Sequence, residues 1–128
     1  MTGASSGAYR GRLRTELLND RQIRAKEYPR WSQCRSAFMR GRRRQIVDRH
    51  KVQIVQHGVP EFPLLLDVDR DTGWVYVGDG HHRAIALMEL GVKRFPFVWR
   101  YIDNSLFGLG QPKASRDPFP YHLLGLNH

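Results

Sequence analysis

Val77-Gly78-Asp79-Gly80-His81-His82-Arg83-Ala84 is the stretch on which the reading of this chain turns. Before it stands Trp74-Val75-Tyr76-Val77, rich in strand formers. After it, His81 to Leu90 has the apolar spacing of a helix, closed by Gly91. The eight residues therefore read as a strand end, a turn and a helix start. Glycines at Gly78 and Gly80 let backbone approach a ligand, while unpaired N–H groups and the positive end of a helix dipole attract an anion. Arg83 adds a bidentate cation. On a helical wheel Ala84, Leu87, Met88 and Leu90 share one broad face with Arg83 at its edge, and His82 and Glu89 point away. An arginine turned toward an apolar face requires an anion. Asp67 and Asp79 are the internal candidates, and a bound phosphate is the external one.

Working upstream, Phe62-Pro63-Leu64-Leu65-Leu66-Asp67-Val68 is a second strand, joined to the first by the turn residues Asp69-Arg70-Asp71-Thr72-Gly73. Ser32 to His57 reads as one helix, weakened at Gly41 and stopped by Gly58 and Pro60. Leu13 to Tyr28 is helix-permissive, with a thin stripe of Leu13, Leu17, Leu18 and Ile23, interrupted by Pro29. Residues 1–9 are small, polar and expected to fray. Downstream, Phe95 to Tyr101 is a third strand. Gly108, Gly110, Pro112, Pro118 and Pro120 then mark an irregular tail whose Phe107, Phe119, Tyr121, Leu123 and Leu124 are expected to pack on the domain. The order helix–strand–strand–helix–strand predicts a small α+β domain. It divides into a basic helical N-terminal extension (1–31), the domain proper (32–102) and a Gly/Pro-rich tail (103–128).

The chain has 128 residues and a formal charge of +9, set by 21 Lys+Arg against 12 Asp+Glu. Residues 1–51 hold 14 of the basic residues against four acids, and arginine outnumbers lysine 17 to 4. Arginine's planar fork suits phosphate. Arg40-Gly41-Arg42-Arg43-Arg44, with Arg35 and Arg49, crowds like charges that an anion would screen, and Tyr9, Tyr28, Trp31 and Phe38 interleave aromatic rings. Nucleic acid is the expected partner of this patch. No apolar run approaches membrane-spanning length and the start has no secretory signal, so a cytoplasmic protein with no membrane contact is expected. The single cysteine, Cys34, excludes an internal disulfide and a cysteine-based zinc cage. Asp67-x-Asp69-x-Asp71 begins like a calcium loop but has Thr72 where glycine is needed and Gly78 where glutamate is needed, so no metal site is assigned.

Asp79-Gly80-His81-His82-Arg83-Ala84, with Ala86, Glu89, Leu90 and Gly91 behind it, resembles the signature of the ParB/sulfiredoxin superfamily. Gly80, Arg83 and Ala86 match that family's Gly-x-x-Arg-x-x-Ala turn. Gly58 to Leu66 resembles its Pro-Leu-hydrophobic strand after a short helix, and Phe95-Pro96-Phe97-Val98 resembles its closing strand. The resemblance covers about residues 45–102. It implies a ParB-like domain whose turn holds the phosphate of a nucleic acid or a nucleotide (ATP, ADP or CTP). His81 stands where sulfiredoxins carry their catalytic cysteine, and the chain has no room for the helix-turn-helix that follows in partition proteins. The nuclease-like and small-molecule-kinase branches are the nearer ones.

The expected phosphate ligands are Gly78, Gly80, His82 and Arg83. His81 or His82 would serve as a proton donor, and Asp79 or Glu61 as a base or a holder of Mg2+. Arg35, Arg40, Arg42, Arg43, Arg44 and Arg49 would contact nucleic acid. Two other functions fit the same residues. One is an ATP- or ADP-dependent small-molecule phosphotransferase. The other is a non-catalytic protein of a phage or mobile element whose basic face grips an acidic host protein.

Overall fold

The computed structural model describes residues 8–103 and 113–127. Its centre is built where the sequence alternates apolar residues with polar or small ones. Leu64–Asp69 (β3) and Val75–Asp79 (β4) form an antiparallel pair across the Asp69–Gly73 turn, and Arg94–Ile102 (β5) runs parallel to β3 on its other side. The turn is held by Asp69, whose carboxylate accepts the N–H groups of Asp71 (2.8 Å) and Thr72 (3.3 Å). His81–Leu90 (α3) links β4 to β5 and ends at Gly91.

The expected helical N-terminal extension is not helical. Gly11–Arg14 (β1) pairs antiparallel with β5, and Ile23–Ala25 (β2) pairs parallel with β4. A 3-10 turn at Thr15–Leu17 follows β1. The sheet order is β1-β5-β3-β4-β2, so the first described residues supply both of its edges. The physical reason lies in the alternation Arg12-Leu13-Arg14 and Ile23-Arg24-Ala25, which buries one face and leaves the other polar. Between these strands Asn19 breaks any helix. Its side-chain oxygen accepts the N–H groups of Arg21 and Gln22, both at 2.8 Å.

The helix expected over Ser32–His57 is two helices, Trp31–Ala37 (α1) and Gly41–His57 (α2). The break lets α1 bury Trp31 and Cys34, with Phe38 just beyond, while α2 buries Val47 and Ile54. Arg44 Nε donates to the Phe38 carbonyl at 3.0 Å and ties the turn to α2.

By register, Ile23, Ala25, Val75, Val77, Leu64, Leu66, Val68, Phe95, Phe97 and Trp99 share one sheet face, all buried. The tail covers part of that face: Phe119 packs edge-on against Phe97 and Trp99, and Trp99 Nε1 donates to the Asp117 carbonyl at 2.9 Å. Phe119 and Leu124 are buried as expected and Tyr121 is half-buried, but Leu123 is exposed. Phe107 lies outside the described residues. No helix among the described residues is long and apolar enough to cross a membrane.

Candidate anion-binding turn

Asp67 organises the backbone beneath the turn. It is fully buried on the second sheet face and receives Lys26 Nζ at 2.5 Å and Arg100 Nε at 2.6 Å. Lys26 follows the edge strand β2 and reaches Asp67 across β4, because Gly78 has no side chain in the way. A Cβ at Gly78 would stand 2.3 Å from Asp67 Oδ2. Gly78 therefore makes room for an internal carboxylate, and it also lines the pocket around Arg83.

Gly80 carries the conformation that the turn demands. Its φ of +115° lies where side chains are rarely accepted, and its Cβ would meet Arg83 Nη2 at 2.8 Å and Leu64 Cδ2 at 3.0 Å. The missing side chain lets the Arg83 guanidinium fold back over the start of α3. No side chain caps that start, so its first N–H groups have no acceptor from Asp79.

Arg83 is thus placed at an open helix N-terminus. Its side chain is only 12% exposed, and Asp79 Oδ2, at 3.6 Å, is a loose, solvent-exposed partner. Asp67, the other internal candidate, is already taken by Lys26 and Arg100. Arg83 Nε is buried with no hydrogen-bond partner among the described residues, and the same holds for His82 Nε2. The two unpartnered atoms belong to consecutive residues of the first turn of α3.

The pocket here has a volume of about 200 Å³ and is lined by Glu27, His50 and Gly78–Arg83. His81 and His82 differ within it. His81 is buried, and its Nε2 accepts the Lys26 N–H at 3.1 Å, so it fastens β2 to α3 and offers that nitrogen to nothing else. His82 stacks on Phe38, ring centroids 4.5 Å apart at 24°. Burial pushes His81, His82 and His50 below the usual imidazole range; Arg83 adds to this at His50, Arg43 and Arg83 at His82. His50 is a site residue that sequence reasoning missed, since only the crossing of α2 over α3 brings it there. Glu27 was missed likewise. Glu61 does not line the pocket. It is exposed after α2, and its backbone N–H donates to Gln53 Oε1 at 2.9 Å.

The expected basic patch divides. Arg44 is bound into the fold, gripping Glu89 at 2.9 and 2.7 Å and Asp48 at 3.1 Å, and Lys51 joins Glu89 at 3.1 Å. Arg35, Arg40, Arg42, Arg43 and Arg49 are exposed, and none has an ion-pair partner among the described residues. Arg43 stands 5.6 Å from the centroid of the Phe38 ring on which His82 also stacks, so the patch adjoins the pocket. Arg35 lines a larger cleft of about 570 Å³ at the other end of α3, with Arg14, Lys93 and Arg94. That cleft lacks the helix N-terminus and buried arginine of the smaller pocket.

Among the described residues, no three His, Cys, Asp or Glu side chains converge so as to hold a metal ion. No protein-family model matches the chain, and no curated protein or solved structure matches it either.

Proposed function

We propose that the chain is a nucleic-acid-binding protein that holds one backbone phosphate at the Gly80–Arg83 turn. The observation that carries this reading is Arg83, buried at an uncapped helix start with its Nε unpaired. A phosphate seated there accepts from Arg83, from the first N–H groups of α3 and from His82. The exposed Arg40, Arg42, Arg43 and Arg49 meet the flanking phosphates. In this reading the turn works as the ParB/sulfiredoxin-type phosphate turn that its residues resemble. Hydrolysis or transfer at the bound phosphate would fall to His82 and His50 rather than to His81, whose Nε2 is occupied.

A pocket of about 200 Å³ is smaller than the 300 Å³ or more typical of enclosed small-molecule sites. This favours one phosphate of a polymer over a whole nucleotide, and so favours nucleic-acid binding over a small-molecule phosphotransferase.

The test is a salt-titrated binding assay with labelled oligonucleotides, comparing the natural chain with Arg83→Ala. The reading expects a steep log–log salt slope and at least about tenfold weaker binding by the variant at equal thermal stability. A flat salt dependence, or an unchanged affinity in Arg83→Ala, overturns it. ATP, ADP and CTP with and without Mg2+ belong in a parallel thermal-shift panel. Stabilisation by one of them that vanishes in Arg83→Ala, with no oligonucleotide binding, would establish the phosphotransferase reading instead.

A further inference from the structure

The second face of the sheet carries charged side chains among apolar ones such as Leu65 and Val98. Register places Arg24, Tyr76, Asp67 and Arg100 in one row across β2, β4, β3 and β5. Arg12 stands on the same face of β1, and Lys26 follows β2 on that side. Two aromatic rings stand among these cations. Trp74, just before β4, is 49% exposed and carries the Arg24 guanidinium 3.8 Å from its ring centroid. Tyr76 follows two residues later and is half-buried.

This surface continues into the anion-binding turn. The groove along β2 and β4 is lined by Arg24–Pro29, Trp74 and Tyr76, and it shares Glu27 with the pocket around Arg83. Trp74, Tyr76 and Gly78 stand at alternate positions, the last two within β4 and Trp74 just before it. At about 3.3 Å per residue they are spaced about 6.6 Å apart, close to the step between nucleotides in an extended single strand.

We infer that this groove binds single-stranded nucleic acid, with successive bases stacked on Tyr76 and Trp74 and the neighbouring phosphate in the Gly80–Arg83 turn. The inference rests on the phosphate reading of that turn and adds the strandedness and the base contacts. Cations beside aromatic rings in a groove are the elements of sequence-tolerant single-strand binding, in which every base offers a face to stack. A duplex keeps its bases stacked on one another and cannot use Trp74 or Tyr76 in this way. The Arg24 guanidinium occupies one side of the Trp74 ring and holds it, leaving the other side for a base.

Of the three tryptophans, Trp31 and Trp99 are buried, so Trp74 is the one that a base can reach. The experiment titrates the full chain with oligo-dT of 12 residues and with a 12-base-pair duplex at equal salt, reading tryptophan fluorescence and anisotropy of a labelled strand. Oligo-dT is expected to bind about tenfold more tightly than the duplex and to quench the fluorescence. Trp74→Ala should abolish the quench and weaken oligo-dT about tenfold, leaving duplex affinity unchanged. Trp74 is half exposed, so the variant is expected to keep its thermal midpoint, and the quench in the natural chain needs no variant at all. Equal affinity for both ligands, or tight oligo-dT binding without quench, overturns the inference while leaving the phosphate reading intact. No binding of either ligand overturns both.

Discussion

At the C-terminal end of α3, Glu89 is held by Arg44 through two hydrogen bonds and by Lys51 through a third, all within 3.1 Å. Six residues earlier, Arg83 has one loose carboxylate at 3.6 Å and an orphaned Nε. Both side chains are largely buried, both carry a full charge, and both stand on the same ten-residue helix. The arginines crowded at the start of α2 show why one end is closed: Arg44 is turned inward by Glu89, and its neighbours are left outside. The open end has no such partner because the nearest buried carboxylate, Asp67, belongs to Lys26 and Arg100. A charge answered inside the fold holds it together, whereas one left unanswered at a helix start is available to a ligand.

The two ends should respond differently to substitution. The largest stability loss is expected at the closed end. Glu89→Ala leaves Arg44 and Lys51 without their shared acceptor and should cost about 3 kcal/mol in chemical denaturation. An unchanged midpoint would show that Asp48 and solvent replace Glu89 fully. Gly80→Ala at the open end should cost about 1–2 kcal/mol, through its φ of +115° and the contact with Arg83. It should also weaken anion binding, because the guanidinium must move. Arg83→Ala should change stability by less than about 0.5 kcal/mol, since it removes a buried charge that is poorly compensated. A loss as large as that of Glu89→Ala would mean that both ends serve the fold alike.

Acid sharpens the contrast. Arg44 and Lys51 hold the Glu89 carboxyl down to about 2, below its ordinary 4.5. Its contribution is therefore complete above pH 4.5 and is lost as pH falls toward 2. In Glu89→Gln that part of the acid loss should be missing from a pH series of unfolding midpoints. The histidines at the open end act in a higher window. His50, His81 and His82 lie below 6.5 in the fold, so stability falls as pH drops below 6.5 and the unfolded chain takes up protons that the buried rings refuse. A phosphate beside His82 and His50 favours their charged forms, so binding takes up protons. Affinity should accordingly rise as pH is lowered from 7.5 to 6. An affinity that is flat over this range would place the phosphate away from the two rings.

Much of the centre of the fold was legible in the sequence. The helix His81–Leu90 stands at its predicted bounds, the hairpin turn at Asp69–Gly73 is present, and the strand around Phe95–Tyr101 is one residue longer at each end. Local signals sufficed there: alternation in the strands, glycine stops, and an Asx turn. The N-terminal residues failed because Leu13 and Leu17 are four apart, which fits a helix as readily as a strand followed by a turn. Only pairing with β5 decides between them. The split at Phe38–Arg40 was visible just as a weakness at Gly41, because the force that sets it is the long-range grip of Arg44 on Glu89. At the site, Gly80, His82 and Arg83 were identified from their spacing. His50 and Glu27 come from elements distant in the chain and leave no local pattern. The division of charge into a basic first half and a neutral second half was true of the sequence and misleading about the molecule. Arg12, Arg24 and Lys26 are carried by the first two strands and their ends onto the same sheet face as Asp67.

Those two short strands have one more consequence. β1 and β2 close opposite edges of the sheet with four and three residues, and arginine alternates through both. Without them, β5 and β4 would present long, unpaired apolar borders, the kind of surface on which a second chain adds strand to strand. Short edge strands that bear arginine are poor templates for such pairing. Removal of residues 11–25 should therefore be seen first as aggregation, read by light scattering.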